Sequence, residues 1–150
     1  MRIFLLAVGA IKKKEIRKLI DEYTLWLKPY LPFTTVEVQA SRPARGRDCR
    51  EEEGARISSF LTGKKMRLIA LDESGVNVSS HRFSEMLENP GCDLCFVIGG
   101  PEGLSDKIKS RADQLMSLSR MTFTSDMARL VFTEQIFRAV KIARGEPYHR

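Results

Sequence analysis

Short segments that are apolar at almost every position constrain the fold of this chain more than any other feature of its sequence. Residues 2–8 and 94–98 are nearly continuous runs of aliphatic and aromatic side chains. A strand has this composition when helices cover both faces of its sheet, as they do in parallel sheets. Segments of helical periodicity lie between the apolar runs. We therefore predict an α/β fold, with a mostly parallel sheet and helices on both faces.

The same patterns predict strands and helices in alternation. We place strands at residues 2–8, 33–38, 66–71, 94–98 and 114–118. We place helices near residues 16–27, 50–61, 79–87, 105–112 and 126–143. Ser105 and Asp126 are the expected N-caps of the last two helices, because their side chains can accept a backbone hydrogen bond. The chain is long enough for a core of its own, so residues 1–150 are expected to form one domain.

The basic charge of the chain favours a polyanionic partner. The formal net charge is +6, and basic side chains cluster at residues 12–18 and 42–50. RNA is a partner of this kind, although a basic surface without such a partner stays open from charge alone. Arg45 and Arg47 fall in a predicted loop, where guanidinium groups can reach phosphates. No apolar run reaches the length of a membrane span, and we expect a cytoplasmic protein with no membrane partner.

The cysteines indicate neither a disulfide framework nor a metal site. Cys49, Cys92 and Cys95 are an odd number, which argues against paired disulfides. Cys92 and Cys95 have C-x-x-C spacing, but they run into a predicted strand instead of opening a helix, as a redox pair would. No second Cys pair or His pair stands at zinc-ligand spacing. We expect small apolar residues and no metal.

The sequence VIGGPEGLS at residues 97–105 is the strongest candidate for a ligand-binding loop. It follows a predicted strand, and ligands of parallel sheets bind beyond the carboxyl ends of strands. Gly99, Gly100 and Gly103 let backbone groups approach a ligand closely, and Pro101 stiffens the turn. The motifs G-x-x-x-x-G-K-[ST], G-x-G-x-x-G and G-x-S-x-G are absent, which disfavours a phosphate loop, a Rossmann-like oxidoreductase and an α/β-hydrolase. A turn without a ligand stays open at this point.

Residues spread over the whole chain resemble one known family. The matching stretches are 98–103, then Ser117 and Ser119 with Thr122 and Arg129, and the closing Pro-Tyr-His-Arg at 147–150. Together they are similar to the RlmH family, SPOUT-class methyltransferases of large-subunit (23S) ribosomal RNA. The resemblance implies a C-terminal trefoil knot that binds S-adenosylmethionine and a homodimer whose sites are completed by the partner chain. It also implies methylation of N3 of a pseudouridine on assembled ribosomes.

The resemblance also implies roles for individual residues. By position, the cofactor or the shape of its loop would depend on Leu71, Gly99, Gly100, Gly103, Ser119, Arg120, Met121, Thr122, Phe123 and Thr124. Catalysis at the RNA would depend on His149, Tyr148 and Arg129, with His149 as the best candidate for a general base. RNA binding would depend on Arg45, Arg47 and Arg150.

One residue departs from the family pattern. Ser125 stands four residues before Arg129, where the family usually has His. Any role of that His in orienting substrate or cofactor would therefore be lost or moved in this chain. A non-catalytic knotted module that binds RNA or cofactor is the alternative function.

The predicted final helix is apolar on more than one side. Such a helix is buried on several sides, either at the centre of the chain's own core or against a second subunit. The pattern alone favours neither, and the resemblance favours a dimer interface. Glu134 lies among these apolar residues, and a hydrogen bond across the dimer is one hypothesis for it.

Overall fold

The computed structural model describes residues 1–149. Within these residues strands and helices alternate, as predicted. The elements are β1 (Ile3–Val8), α1 (Lys14–Leu27), β2 (Phe33–Val38), α2 (Cys49–Leu61), β3 (Met66–Asn77), α3 (Ser80–Glu88), β4 (Asp93–Ile98), α4 (Asp106–Arg111), β5 (Gln114–Ser117) and α5 (Ser125–Ala143).

The strands form one parallel sheet in the order β2-β1-β4-β3-β5. Every pairing between neighbouring strands is parallel, which confirms the predicted sheet. All carboxyl ends therefore lie at one edge, and the loops that follow β3, β4 and β5 lie side by side there. This edge is where an α/β sheet binds ligands.

Helices cover both faces of the sheet, which explains why its inner strands are apolar throughout. Helices α1, α3 and α5 cover one face, where Leu5 of β1 and Phe96 of β4 pack against Phe132 of α5. Helices α2 and α4 cover the other face, where Leu6 and Val97 pack with residues of these helices. Successive side chains of a strand point to opposite faces, so each inner strand contributes to both cores.

Helix α5 is central to the core of the chain. Phe132 and Ile136 are fully buried, and the helix packs against both α1 and α3. The apolar character on several of its sides is therefore accounted for to a large extent within one chain. In the part of the chain that the structure describes, no helix combines the length and the hydropathy that a bilayer crossing requires.

Two predicted boundaries are wrong. Strand β3 continues past residue 71 to Asn77, and Met116 of β5 pairs with both Leu71 and Val76, so the intervening residues bulge out of the ladder. Asp126 is not the N-cap of α5, because Thr124 holds that position and its hydroxyl accepts from the Met127 amide. The Asp126 carboxylate instead accepts hydrogen bonds from the Lys12 and Lys13 amides, at 3.0 and 3.3 Å.

Gly75 allows β3 and β5 to approach each other at this bulge. A Cβ atom on Gly75 would lie 2.5 Å from the Met116 amide nitrogen, so the Gly75→Ala variant must displace backbone. We expect a loss of about 3 kcal/mol in the free energy of unfolding, measured by urea denaturation. The control is Gly63→Ala, which adds a Cβ in open space at a φ of +73° and should cost only about 1 kcal/mol. Equal losses would contradict the close approach.

Candidate active site

The Gly-rich loop after β4 folds back on itself so tightly that it requires glycine. Gly100 and Gly103 form an isolated antiparallel bridge, with the Gly103 amide donating to the Gly100 carbonyl at 2.9 Å. A Cβ atom on Gly99 would lie 2.5 Å from the Gly103 carbonyl carbon, and Gly103 has a φ of +81°. The loop therefore presents backbone groups at the carboxyl edge of the sheet.

The buried residue Glu53, which was not among the predicted site residues, packs against this loop. Glu53 of α2 is only 3% exposed, and its carboxylate accepts from the Ser41 amide at 2.9 Å. A Cβ atom on Gly100 would lie 2.9 Å from the other Glu53 oxygen, so glycine is needed here too. The spacing of Glu53 from the buried Cys49 and Ile57, four residues to either side, is the signal that could have placed it inward.

The basic loop lies beside the Gly-rich loop. Arg47 and Arg50 share a cleft of about 390 Å³ with Glu102 of the Gly-rich loop. Arg47 also forms an ion pair with Glu52 at 2.8 Å. Arg45 is exposed. The structure thus places Arg47, a predicted RNA-binding residue, next to the predicted cofactor loop, from which the sequence separates it by about fifty positions.

The segment that follows β5 is exposed and reaches the β3 bulge. Met121 is 76% exposed, and Arg120, Thr122, Phe123 and Thr124 are exposed as well. The Ser119 hydroxyl accepts from the Met121 amide at 3.0 Å, and Thr122 contacts Glu73 at 3.3 Å. Leu71 pairs in the sheet with Ile98, at the start of the Gly-rich loop. The predicted cofactor residues therefore come from three loops that lie side by side.

Asp72 connects the carboxyl edge of the sheet to helix α4. Its carboxylate forms an ion pair with Lys109 at 2.7 Å and accepts from the Ser74 amide at 3.0 Å. Burial raises the pKa of the Asp72 carboxyl, but the hydrogen bonds from Lys109 and Ser74 outweigh burial and hold the pKa below its usual range. Asp72 is therefore ionised near neutral pH.

Arg129 is buried, and its guanidinium group holds the end of β1. The residue is 3% exposed, and Nη2 donates to the carbonyl oxygens of Val8 at 2.6 Å and Gly9 at 2.8 Å. The group also contacts Glu37 at 3.4 Å and Ser125 at 3.3 Å. The Ser125 hydroxyl thus faces Arg129. A direct catalytic contact of Arg129 with RNA stays a prediction.

The C-terminal tail is bound to α5 and α1 of its own chain. The Tyr148 hydroxyl lies 3.1 Å from Glu134 and 3.2 Å from the Tyr23 hydroxyl. The tyrosine ring packs edge-on against Phe137, with ring centres 4.9 Å apart. Burial raises the pKa of Tyr148, and its contacts with Tyr23 and Glu134 raise it further. The phenol is therefore neutral near pH 7.

His149 and Glu134 also have their contacts within the chain. His149 Nδ1 lies 3.5 Å from Arg138, and its ring packs edge-on against His81 at 4.7 Å. Glu134 accepts from Arg138 at 2.5 Å and from Gln135 at 2.7 Å. A hydrogen bond of Glu134 across a dimer stays a prediction. Arg150 lies outside the described residues.

The cysteines are free thiols. Cys95 is buried within β4, where desolvation raises the pKa of its thiol to about 12, so it is a packing residue. Among residues 1–149, no group of three or more His, Cys, Asp and Glu side chains is arranged to hold a metal ion.

Comparison with known proteins identifies the class to which this fold and this edge belong. The chain belongs to the SPOUT methyltransferase family, because the family model described as "Predicted SPOUT methyltransferase" matches residues 1–149.

Full-length relatives are more specific. A protein of Carboxydothermus hydrogenoformans named "Ribosomal RNA large subunit methyltransferase H" is 38% identical over all of both chains. Proteins of the same name from Anaeromyxobacter sp. and Syntrophotalea carbinolica are each 40% identical, over 100% and 99% of both chains respectively. The resemblance to the RlmH family is confirmed.

The lowered pKa of Asp72 predicts a pH dependence of stability with a defined sign. A carboxyl whose pKa is lower in the folded chain stabilises the fold above the unfolded value of about 3.9. This contribution is lost as the pH falls through the folded-state pKa. We expect the free energy of unfolding, measured by urea denaturation, to fall more steeply between about pH 5 and pH 3 in the wild type than in Asp72→Asn.

The matched control for this measurement is Asp21→Asn, which removes an exposed carboxylate from α1. Its pH profile should follow that of the wild type. A profile of Asp72→Asn that also parallels the wild type would contradict the assigned role of the Lys109 contact.

Proposed function

We propose that this chain methylates large-subunit ribosomal RNA with S-adenosylmethionine as methyl donor, at N3 of a pseudouridine on assembled ribosomes. The full-length likeness to relatives named for large-subunit ribosomal RNA methylation carries the proposal. The glycine-dependent loop at the carboxyl edge supports it. We take residues 1–150 to act as one SPOUT domain, in the cytoplasm.

The residues at this edge fit the proposed cofactor. Gly99 and Gly100 let the loop pack closely on its own backbone and on Glu53, and only at Gly103 is the space that a Cβ atom would take open. Peptide groups of such a loop could pair with the donors and acceptors of an adenosine moiety where the loop does not already pair them within itself, as it does between the Gly103 amide and the Gly100 carbonyl. Leu71 and the segment from Ser119 to Thr124 would complete the pocket from β3 and β5.

A C-terminal trefoil knot is part of this proposal. Strand β5 lies at one edge of the sheet. Helix α5 packs against α1 and α3 and lies over the middle of the sheet. The segment between them therefore crosses the carboxyl edge, where Thr122 contacts Glu73. Close approaches at Gly75 and Gly99 are of the kind that threading a chain through loops at this edge needs.

In this mechanism the chain mainly positions the methyl donor and the acceptor base, and it accepts the proton that the base loses. S-adenosylmethionine supplies an activated methyl group when it is bound. The acceptor N3–H must lose its proton, and His149 is the residue that would accept it. Tyr148, neutral and bonded to Glu134, holds the adjoining tail. Arg129 fixes the carboxyl end of β1 beside the Gly-rich loop.

A homodimer completes the proposal, with the tail of one chain presenting the nucleobase at the site of its partner. Helix α1 supports this assembly because Leu19, Leu25 and Trp26 are exposed on it. Trp26 stacks edge-on against Tyr23, which contacts Tyr148. This exposed apolar surface is thus continuous with the tail that would enter the partner's site.

Methyl transfer tests the proposed function directly. The wild type should transfer labelled methyl groups from S-adenosylmethionine to ribosomes that lack the modification. Gly99→Ala should weaken cofactor binding, measured by calorimetry, by a factor of roughly thirty, because about 2 kcal/mol of strain enters the loop. The control Gly91→Ala adds a Cβ in open space and should bind the cofactor normally.

Two outcomes would contradict this assignment. Cofactor and ribosome binding without transfer would favour the non-catalytic module that Ser125 makes conceivable. Normal cofactor binding by Gly99→Ala would show that the Gly-rich loop is not part of the cofactor site.

The basic loop predicts a salt-dependent contribution to RNA binding. Each phosphate contact that is lost should lower the slope of log affinity against log salt by about 1. The double variant Arg45→Ala/Arg47→Ala should therefore bind ribosomes more weakly, with a slope lower by about 2, and should keep its affinity for S-adenosylmethionine. Arg82→Ala, an exposed arginine on α3 that pairs with Glu85, is the control. Unchanged ribosome binding across a salt titration would overturn the role of this loop, and Arg150 would be tested in the same way.

A further inference from the structure

A polar cleft lies on the α1 face of the sheet, and its lining includes no residue of the Gly-rich loop. Its volume is about 280 Å³, and it lies among β1, β2, α1 and the first turns of α5. Leu5, Ala7 and Ile20 form a buried apolar floor. The polar lining is provided by Arg17, Asp21, Thr35, Glu37 and Arg129.

One buried donor at this cleft has no acceptor in the chain. Within residues 1–149, Arg129 Nε is the one buried side-chain nitrogen or oxygen atom without a hydrogen-bond partner. The two terminal nitrogens of the same guanidinium are engaged with Val8, Gly9, Glu37 and Ser125. A buried N–H group left unpaired is costly. Solvent does not reach this N–H in the structure, so a ligand that carried an acceptor, such as a carbonyl oxygen, would remove the cost by drawing the Arg129 side chain toward the cleft.

The charges of the cleft indicate what kind of group it accepts. Two cations, Arg17 and Arg129, face two carboxylates, Asp21 and Glu37, so the cleft is close to neutral and is not built for an isolated phosphate. Glu37 uses one oxygen, Oε1, for Arg17, Arg129 and the Ile11 amide. The lining therefore offers both donors and acceptors above an apolar floor, which suits a flat polar ring such as an unstacked nucleobase.

The approach to the cleft is strongly basic. Lys12, Lys13 and Lys14 lie three to five residues before Arg17 and are all exposed. An RNA strand bound along these lysines would have its phosphates neutralised at the rim. A base turned away from that strand would enter the neutral cleft.

We propose that this cleft binds an unstacked base of the substrate RNA, with Arg129 Nε–H donating to a base carbonyl and the Asp21 and Glu37 carboxylates accepting from base N–H groups. Uracil and guanine carry a carbonyl and a ring N–H side by side and fit this pattern, whereas adenine has no carbonyl. The inference rests on the proposed function, since it takes RNA as the substrate.

The base bound here is a neighbour of the methylated nucleotide. The cleft lies at β1 and β2, whereas the predicted cofactor loops follow β3, β4 and β5. The methyl acceptor must reach those loops. The cleft is therefore a second recognition point that sets the register of the RNA.

A cleft-filling substitution with a matched control tests this site. Thr35 lines the cleft and is exposed, so Thr35→Trp should block the cleft without disturbing the core. Thr34 is also exposed, but it points to the opposite face of β2 because side chains alternate along a strand. We expect Thr35→Trp to bind unmodified ribosomes roughly tenfold more weakly, with unchanged affinity for S-adenosylmethionine and unchanged thermal stability. Thr34→Trp should behave as the wild type.

The outcomes separate this site from the proposed function. Absence of methyl transfer by the wild type would overturn the proposed function. Methyl transfer by the wild type together with equal ribosome binding by Thr35→Trp and Thr34→Trp would overturn the cleft alone. A change in the oligomeric state of Thr35→Trp, measured by light scattering, would make the cleft a contact between subunits and would also overturn the proposal.

A second measurement uses the wild-type chain and does not depend on any variant. The Arg129 Nε–H resonance in a ¹⁵N-labelled sample should shift when uridine or guanosine is added. It should stay in place with inorganic phosphate at the same concentration. A shift with phosphate alone would make the cleft an anion site, and no shift with either nucleoside would exclude a base from it.

Discussion

The buried guanidinium group of Arg129 is the contact on which the geometry of the carboxyl edge depends. Burial lowers the pKa of Arg129, and the nearby Glu37 carboxylate opposes that effect. The cost of burying this charge is offset by donation to the Val8 and Gly9 carbonyls, which lie where β1 ends. A second nitrogen of the same group, Nη1, reaches Glu37 at 3.4 Å, and the single nitrogen of a lysine could not span the carbonyls and this carboxylate as the planar fork of arginine does. The first strand and the last helix of the chain are thereby joined at one group.

Other parts of the edge build on this junction. Asp126, one turn before Arg129, accepts from the Lys12 and Lys13 amides, so the loop after β1 is held against α5. Val8 in turn lies next to Gly100, whose missing side chain leaves room for it. Arg129 is thus connected to the Gly-rich loop through direct contacts by way of Val8. Residues near the two ends of the sequence, in β1 and α5, therefore help to fix the position of the Gly-rich loop.

Local periodicity predicted the sheet well, because the apolar runs at residues 2–8 and 94–98 reflect burial on two faces. It failed where a distant partner decides the structure. Residues 72–77 have the composition of a turn, and only pairing with β5 makes them part of a strand. Thr124, Ser125 and Asp126 are all good N-cap residues, and the contact of Asp126 with the loop after β1 leaves Thr124 as the cap. The roles of Glu53 and Arg129 have the same origin, since a charged residue shows its burial only when its partners in other elements are known.

The loop between β4 and α4 is defined by the shape of its backbone. Pro101 and Glu102, the two residues between its glycines, are exposed, so their side chains contribute little to how the loop is held. Amide and carbonyl groups are common to almost every amino acid. The path of the loop depends instead on Gly99 and Gly100, where a Cβ atom would meet the chain itself, and on the positive φ of Gly103, so the backbone at these three positions can be kept only by residues without a side chain.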